Sequence, residues 1–131
     1  MVLTGDKEKV FYNAVWSAVG CNHREISKLK SGSETWEEIF KRLNSNAVKS
    51  EPEKEWEKIE KSGIKLIFSG EPDFPEFLRE IYWSPLAIYV KGEVDFLKNP
   101  SVAIVGTRKA TEDGIEIARQ FGRGLAEAGV T

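Results

Sequence analysis

Gly106, Thr107, Arg108 and Lys109 follow the apolar, β-branched run Val102-Ala103-Ile104-Val105, a few residues before a helical pattern that opens at Asp113. A glycine, a hydroxyl, a guanidinium and an ammonium in successive positions can receive an anion. The glycine lets the backbone turn and come close, and the two cations add full charge and directed donors. A strand, turn and helix in this order place such a group beyond the carboxyl end of a strand, where a helix N-terminus offers free N–H groups and partial positive charge. Taken alone, the segment reads equally as an anion site or as an ordinary strand-to-helix turn with a solvated arginine. A single glycine falls short of the G-x-G-x-x-G fingerprint, so no dinucleotide, and no other cofactor, is expected.

The remaining reactive side chains predict little chemistry. Cys21 is the one cysteine and His23 the one histidine. They cannot form an internal disulfide or a four-ligand zinc site, and read as a small buried thiol and a polar turn residue. Glu71 and Asp73 fall in a cluster of turn formers, with no paired carboxylates placed for acid–base work. Catalytic residues are therefore not expected. Arg119 and Arg123 share a polar helix face with Glu116 and Glu127, where they are expected to be solvated partners of those carboxylates. Trp16, Trp36 and Trp56 lie on apolar helical faces and are expected in the core. Trp83, in the loop before Pro85, is the one left to stack on a base.

These groups need a scaffold, and the sequence changes character once along its length. Val10, Phe11, Ala14, Val15, Ala18 and Val19 give one helix over 6–19, closed by Gly20. Ile26 and Leu29 suit a short helix over 23–30, broken by Ser31-Gly32. Ser33 is expected to cap a third, 34–43, whose face carries Trp36, Ile39, Phe40 and Leu43. After an Asn44-Ser45-Asn46 turn, Ser50-Glu51-Pro52 should start a fourth helix, running through Trp56 and Ile59 to Ser62-Gly63. Beyond that point strands are expected at 64–68 and 85–90, with a helix at 75–81 between them. A third strand, 101–105, should lead through the basic turn into a helix whose face bears Gly114, Ile117, Ala118, Phe121 and Leu125. Val130-Thr131 reads as the start of a further strand. Strand, crossover helix and strand make a right-handed βαβ unit with parallel pairing. The expectation is therefore α/β: a helical subdomain over 1–62, then the first part of a mostly parallel sheet over 63–131, the chain being a fragment of a longer protein.

With 40% apolar and 31% charged residues in 131, the chain is of soluble globular type. No apolar run approaches the ~20 residues of a bilayer span, and no secretory leader is evident, so no membrane association and a cytoplasmic location are expected. A formal net charge of −2 argues against coating nucleic acid by bulk charge, but is compatible with a local basic patch.

The succession Phe74-Pro75-Glu76-Phe77-Leu78-Arg79-Glu80-Ile81, Pro85-Leu86-Ala87-Ile88-Tyr89-Val90-Lys91-Gly92 and Ser101 to Gly114 resembles the DNA-processing protein A family, DprA or Smf. The resemblance is strong from Phe74 onward and weak before Ser62. It implies a helical domain resembling a sterile-alpha-motif (SAM-like) fold and an extended Rossmann-like domain. It also implies non-enzymatic binding of single-stranded DNA and loading of the RecA recombinase in natural transformation. By similarity, Gly106, Thr107 and Arg108 would lie in a basic DNA pocket with Lys109 beside them, where a phosphate would meet backbone N–H groups, a hydroxyl and a guanidinium. The family's second glycine-rich motif, S-G-x-A-x-G-I-D, is missing from these residues. So are the later strands through which the family dimerises and meets RecA. The alternative is a nucleotide-binding or nucleotide-processing enzyme on a related Rossmann-like fold.

Overall fold

The computed structural model describes residues 4–30, 32–44 and 51–131. The Ser31 break, the Ser45-Asn46 part of the expected turn and the Ser50 cap lie outside the described residues. The chain forms two compact units, Met1–Gly92 and Glu93–Thr131. The sequence changes character at Ser62-Gly63, yet compactness divides the chain later, because Leu66 and Ala87 of the first two strands bury into the same core as the helices.

In the first unit, α1 (Thr4–Ala18), α2 (His23–Leu29), α3 (Trp36–Asn44) and α4 (Pro52–Lys61) precede β1 (Ile64–Phe68), α5 (Glu76–Glu80) and β2 (Ala87–Lys91). The apolar positions that predicted α1 are buried: Val10, Phe11, Ala14 and Val15, the last with no exposed surface. Tyr12 and Asn13 are buried too, so one turn of α1 is enclosed nearly all round. The reason is that α3 and α4 both pack on it. Trp36 and Trp56 are core, as their helical spacing predicts, and Trp16 packs partly buried against the same cluster.

Local chemistry sets the helix ends. α1 closes with the Gly20 N–H on the Ser17 carbonyl and the Cys21 N–H on the Trp16 carbonyl, a Schellman arrangement with Gly20 left-handed at φ 66°. The Asn22 side chain then accepts from the N–H groups of Arg24 and Glu25 and caps α2. Cys21 is exposed, not buried as expected, because it sits in this tight link between two helices, itself left-handed at φ 55°. The cap of α3 is Thr35 and not Ser33. The Thr35 hydroxyl accepts from the Glu38 N–H at 3.3 Å while the Glu38 carboxylate accepts from the Thr35 N–H at 2.7 Å, a reciprocal capping box. Those bonds from Thr35 hold the Glu38 carboxyl below its ordinary pKa.

β1 and β2 pair antiparallel, Ile64 opposite Lys91 and Phe68 opposite Ala87, in a sheet of two strands. The expected mostly parallel sheet is thus corrected: the mixed helix-and-sheet class stands, but the sheet is antiparallel. The connection explains it. α5 has five residues, about 7.5 Å of helix against about 17 Å for each five-residue strand, so it does not carry the chain back along the sheet. The link also folds on itself: the Arg79 guanidinium donates to the Ser69 carbonyl at 2.9 Å and to the Glu71 carbonyl at 2.6 Å. The Glu71 carboxylate accepts from the Phe68 N–H at 2.6 Å and pairs with Lys9 at 2.9 Å.

Across this core Tyr89 donates its hydroxyl to the Asn13 side-chain carbonyl at 2.9 Å, joining β2 to α1. Tyr12 meets Trp36 edge-on at 4.9 Å and Phe68 at 5.3 Å. Burial pushes the Tyr12 phenol from 10.0 up to about 12, and the Tyr89 phenol higher still. Both groups keep their protons longer folded than unfolded, so stability is full below pH ~10 and falls as the pH rises through that value. Urea unfolding is expected to show a midpoint flat from neutral pH to about 9 that declines steeply above 10, with a shallower decline in Tyr89→Phe; an equally steep decline in that variant would show that Tyr89 takes no part.

The second unit holds a 3₁₀ turn (Val94–Lys98), an extended stretch and α6 (Glu112–Glu127). The expected strand over 101–105 is not part of a sheet and its residues are exposed. It does begin a pairing: the Thr131 N–H reaches the Pro100 carbonyl and the Val102 N–H reaches the Thr131 carbonyl, each at 2.9 Å. Two bonds straddling Ser101 in this way have the pattern of a parallel ladder.

Candidate functional site

The basic turn lies on the exposed stretch that leads into α6. Gly106, Thr107, Arg108 and Lys109 are all solvent-exposed, so the structure brings the four together at one accessible place. The Thr107 hydroxyl accepts from the Lys109 N–H at 3.4 Å, folding the turn over its own backbone. Thr111 caps α6, its hydroxyl accepting from the Gly114 N–H at 3.2 Å and its carbonyl from the Ile115 N–H at 3.0 Å. Thr111 escaped the reading of the sequence, which began the helix at Asp113. The signal was present in Thr-Glu-Asp-Gly, a capping hydroxyl followed by acidic residues in the first turn.

Two features of the turn differ from expectation. Gly106 is not among the left-handed residues, and a Cβ built on it meets nothing within 4 Å. The chain itself therefore does not need a glycine here, and only a partner approaching from outside would be sensitive to an added methyl. Furthermore, Glu112 and Asp113 occupy the first turn of α6. Their carboxylates offset the positive end of the helix dipole. The charge available to an anion thus comes from Arg108 and Lys109, neither of which makes an ion pair among the described residues.

That isolation contrasts with Arg119, further along α6. Arg119 donates to Glu116 at 2.5 Å, and Gln120 donates to the same carboxylate at 3.2 Å, so Arg119 is paired as its spacing predicts. No ion pair joins Arg123 to Glu127 among the described residues. The apolar face of α6 is open in this chain: Ile115, Ile117 and Phe121 are about half to two-thirds exposed, and the neighbouring extended stretch exposes Val102, Ile104 and Val105. A shallow depression of about 360 Å³ on the helix is lined by Gln120, Phe121, Gly124 and Leu125. No group of three or more His, Cys, Asp or Glu residues that could hold a metal ion occurs among the described residues. Nor is any helix among them long and apolar enough to cross a membrane.

His23 has a structural duty. Its Nε2 lies 3.3 Å from the Ser84 carbonyl and its Nδ1 3.5 Å from the Ser27 hydroxyl, which ties α2 to the loop before β2. Trp83 in that loop is 59% exposed.

Comparison with known proteins bears on the same region. The family model of DNA recombination-mediator protein A matches residues 65–131, which include β1 from its second residue, β2, the basic turn and α6. A protein named Smf from Borreliella burgdorferi is 36% identical over 72 residues, 55% of this chain and 23% of that protein. The DNA processing protein DprA of Streptococcus pneumoniae is 38% identical over 52 residues, 40% of this chain and 18% of that protein. A Synechocystis protein also named Smf is 28% identical over 122 residues, 90% of this chain and 27% of its own length. The chain thus spans about a quarter or less of the curated relatives it matches. No solved structure matches it. The match of more than half the chain to one family model, running through the turn that the residues single out, places the chain in the DNA recombination-mediator protein A family, DprA/Smf.

Proposed function

We propose that the chain binds single-stranded DNA without catalysis, holding backbone phosphates at the turn Gly106-Thr107-Arg108 with Lys109 beside it, in the service of DNA recombination. The observation that carries this reading is the exposed guanidinium and ammonium side by side, with no carboxylate partner among the described residues, on a turn whose glycine the chain's own packing does not require. A phosphodiester satisfies such a site: Arg108 can bond two oxygens at once, Lys109 adds a point charge, and Gly106 leaves room for the sugar–phosphate to approach. Binding of this kind reads the backbone and not the bases, so it is indifferent to sequence and weakened by salt.

The family supports the wider reading. In the complete protein this segment would be the first part of a Rossmann-like domain beginning near residue 63, behind a SAM-like helical domain over 1–62. It would act in the cytoplasm during natural transformation, as a homodimer that loads RecA on incoming single strands. The rival reading, a nucleotide-handling enzyme, requires a general base near the turn. The carboxylates nearest to the turn in sequence are Glu112 and Asp113, in the first turn of α6.

Parallel titration with an oligothymidylate and with mononucleotides separates the two readings. The oligomer is expected to bind at low salt, with log affinity falling linearly against log salt concentration, and mononucleotides to bind far more weakly. Tighter binding of a mononucleotide than of the oligomer would replace the DNA reading with the enzymatic one.

A further inference from the structure

Tyr82 and Trp83 are two large aromatic residues left in solvent, 89% and 59% exposed, in the first compact unit and away in sequence from the basic turn. They are nevertheless ordered with respect to each other. Their rings meet edge to face, centroids 5.1 Å apart and planes at 88°. The Arg24 guanidinium, from the first turn of α2, stands 5.6 Å from the centre of the Trp83 ring. His23, the neighbour of Arg24, contacts the Ser84 carbonyl, and Pro85 follows, restricting Ser84 to extended backbone. The loop is thereby held at its C-terminal side with its rings outward. Two further features bear on what it presents. Glu25, the acidic residue next to Arg24, is committed to Lys28 at 2.8 Å, and no carboxylate ion-pairs with Arg24 among the described residues. Water gains nothing from this arrangement, since exposed indole and phenol rings forfeit the stabilisation that burial would give. A flat aromatic partner carrying negative charge would recover it.

The geometry points to a base-stacking platform: Tyr82 and Trp83 stack nucleobases of single-stranded DNA while Arg24 meets the adjoining phosphate. This deepens the proposed function and rests on single-stranded DNA being the ligand, but it assigns a second contact of different chemistry. The basic turn grips phosphates and is blind to bases; the aromatic pair needs bases, of any sequence, because every base has a π-face. A protein surface could also cover two exposed rings. The nucleobase is favoured because a cation already sits at the ring and has no acidic partner among the described residues, which suits a ligand that alternates flat rings with anions.

The test compares an oligothymidylate with an abasic deoxyribose–phosphate oligomer of equal length, using the full chain. The wild-type chain is expected to prefer the thymidylate about tenfold, the contribution of stacking. Tyr82→Ala with Trp83→Ala should bring the ratio to about one, Trp83→Phe should retain part of it, and Trp83 fluorescence should be quenched by thymidylate but not by the abasic oligomer. All of these residues are on the surface, so circular dichroism and thermal unfolding should be unchanged. A ratio that is the same in the double alanine variant as in the wild type, or a wild-type chain that binds both oligomers equally, overturns the platform. Arg108→Ala distinguishes the two readings: it should weaken both oligomers and leave their ratio alone. If it weakens neither, the turn fails while the ratio still decides the platform. A wild-type chain that binds neither oligomer overturns both, and rings protected only when a second protein is added would assign the pair to a protein interface.

Discussion

Arg108→Ala is expected to lower the proposed affinity for single-stranded DNA by about ten- to a hundredfold, which is what losing a charge-assisted pair of hydrogen bonds is worth. Arg108 is exposed and makes no ion pair in the free protein among the described residues, so the substitution removes no internal contact and the fold should be untouched. Salt dependence supplies the second readout. Each phosphate neutralised on a single strand contributes a slope of about −0.7, so the variant's log–log plot should flatten by about that amount. Arg108→Lys keeps the charge but not the planar fork, and should recover the salt slope more fully than the affinity. Gly106→Ala completes the set. A methyl there meets nothing within 4 Å in this chain, so stability should hold or rise slightly, while DNA affinity falls because the sugar–phosphate can no longer approach. An Arg108→Ala chain that binds as the wild type does, with the same slope, would remove the turn from the account.

Ile39→Ala is expected to cost about 2–5 kcal/mol in urea unfolding, the usual penalty for deleting that much buried side chain. Ile39 has no exposed surface and sits on α3 in the cluster that holds Val15, Trp36 and Trp56. Against a total of about 5–15 kcal/mol for a domain, such a loss leaves a substantial population unfolded. The informative control is Ile117→Ser on α6. Ile117 is equally apolar and equally well placed on a helical stripe, yet it is 54% exposed, so the change should stay within about 0.5 kcal/mol. A large loss for Ile117→Ser would mean that the face of α6 is buried in solution.

Much of this architecture was legible from residue spacing. The three-and-four repeat of Val10, Phe11, Ala14 and Val15 forms α1, and the runs Ile64–Phe68 and Ala87–Lys91 form strands, because local periodicity decides which side of an element can leave water. The basic turn was legible too: four adjacent residues need no folding to be neighbours. What escaped were features whose cause lies elsewhere in the chain. The spacing points to Ser33, two residues ahead of the Thr35–Glu38 capping box, since both residues are good caps and only the path of the chain selects between them. Cys21 looked like a small core residue and stands in solvent, because the link between α1 and α2 is too short to turn it inward.

The candidate residues and the family of the chain can be read without a fold, since both reside in contiguous residues: Gly106 to Lys109 for the first, residues 65–131 for the second. How the strands pair and which apolar faces are covered emerge only once the chain is packed. Strand direction follows from the path of the connection, and the Arg79 bonds to Ser69 and Glu71 double that path back, so β1 and β2 run antiparallel. Burial is likewise a property of partners: the face of α1 meets α3 and α4, while an equally apolar face on α6 stays in water. The same distinction separates Trp36 and Trp56 from Trp83, alike in composition but unlike in what surrounds them.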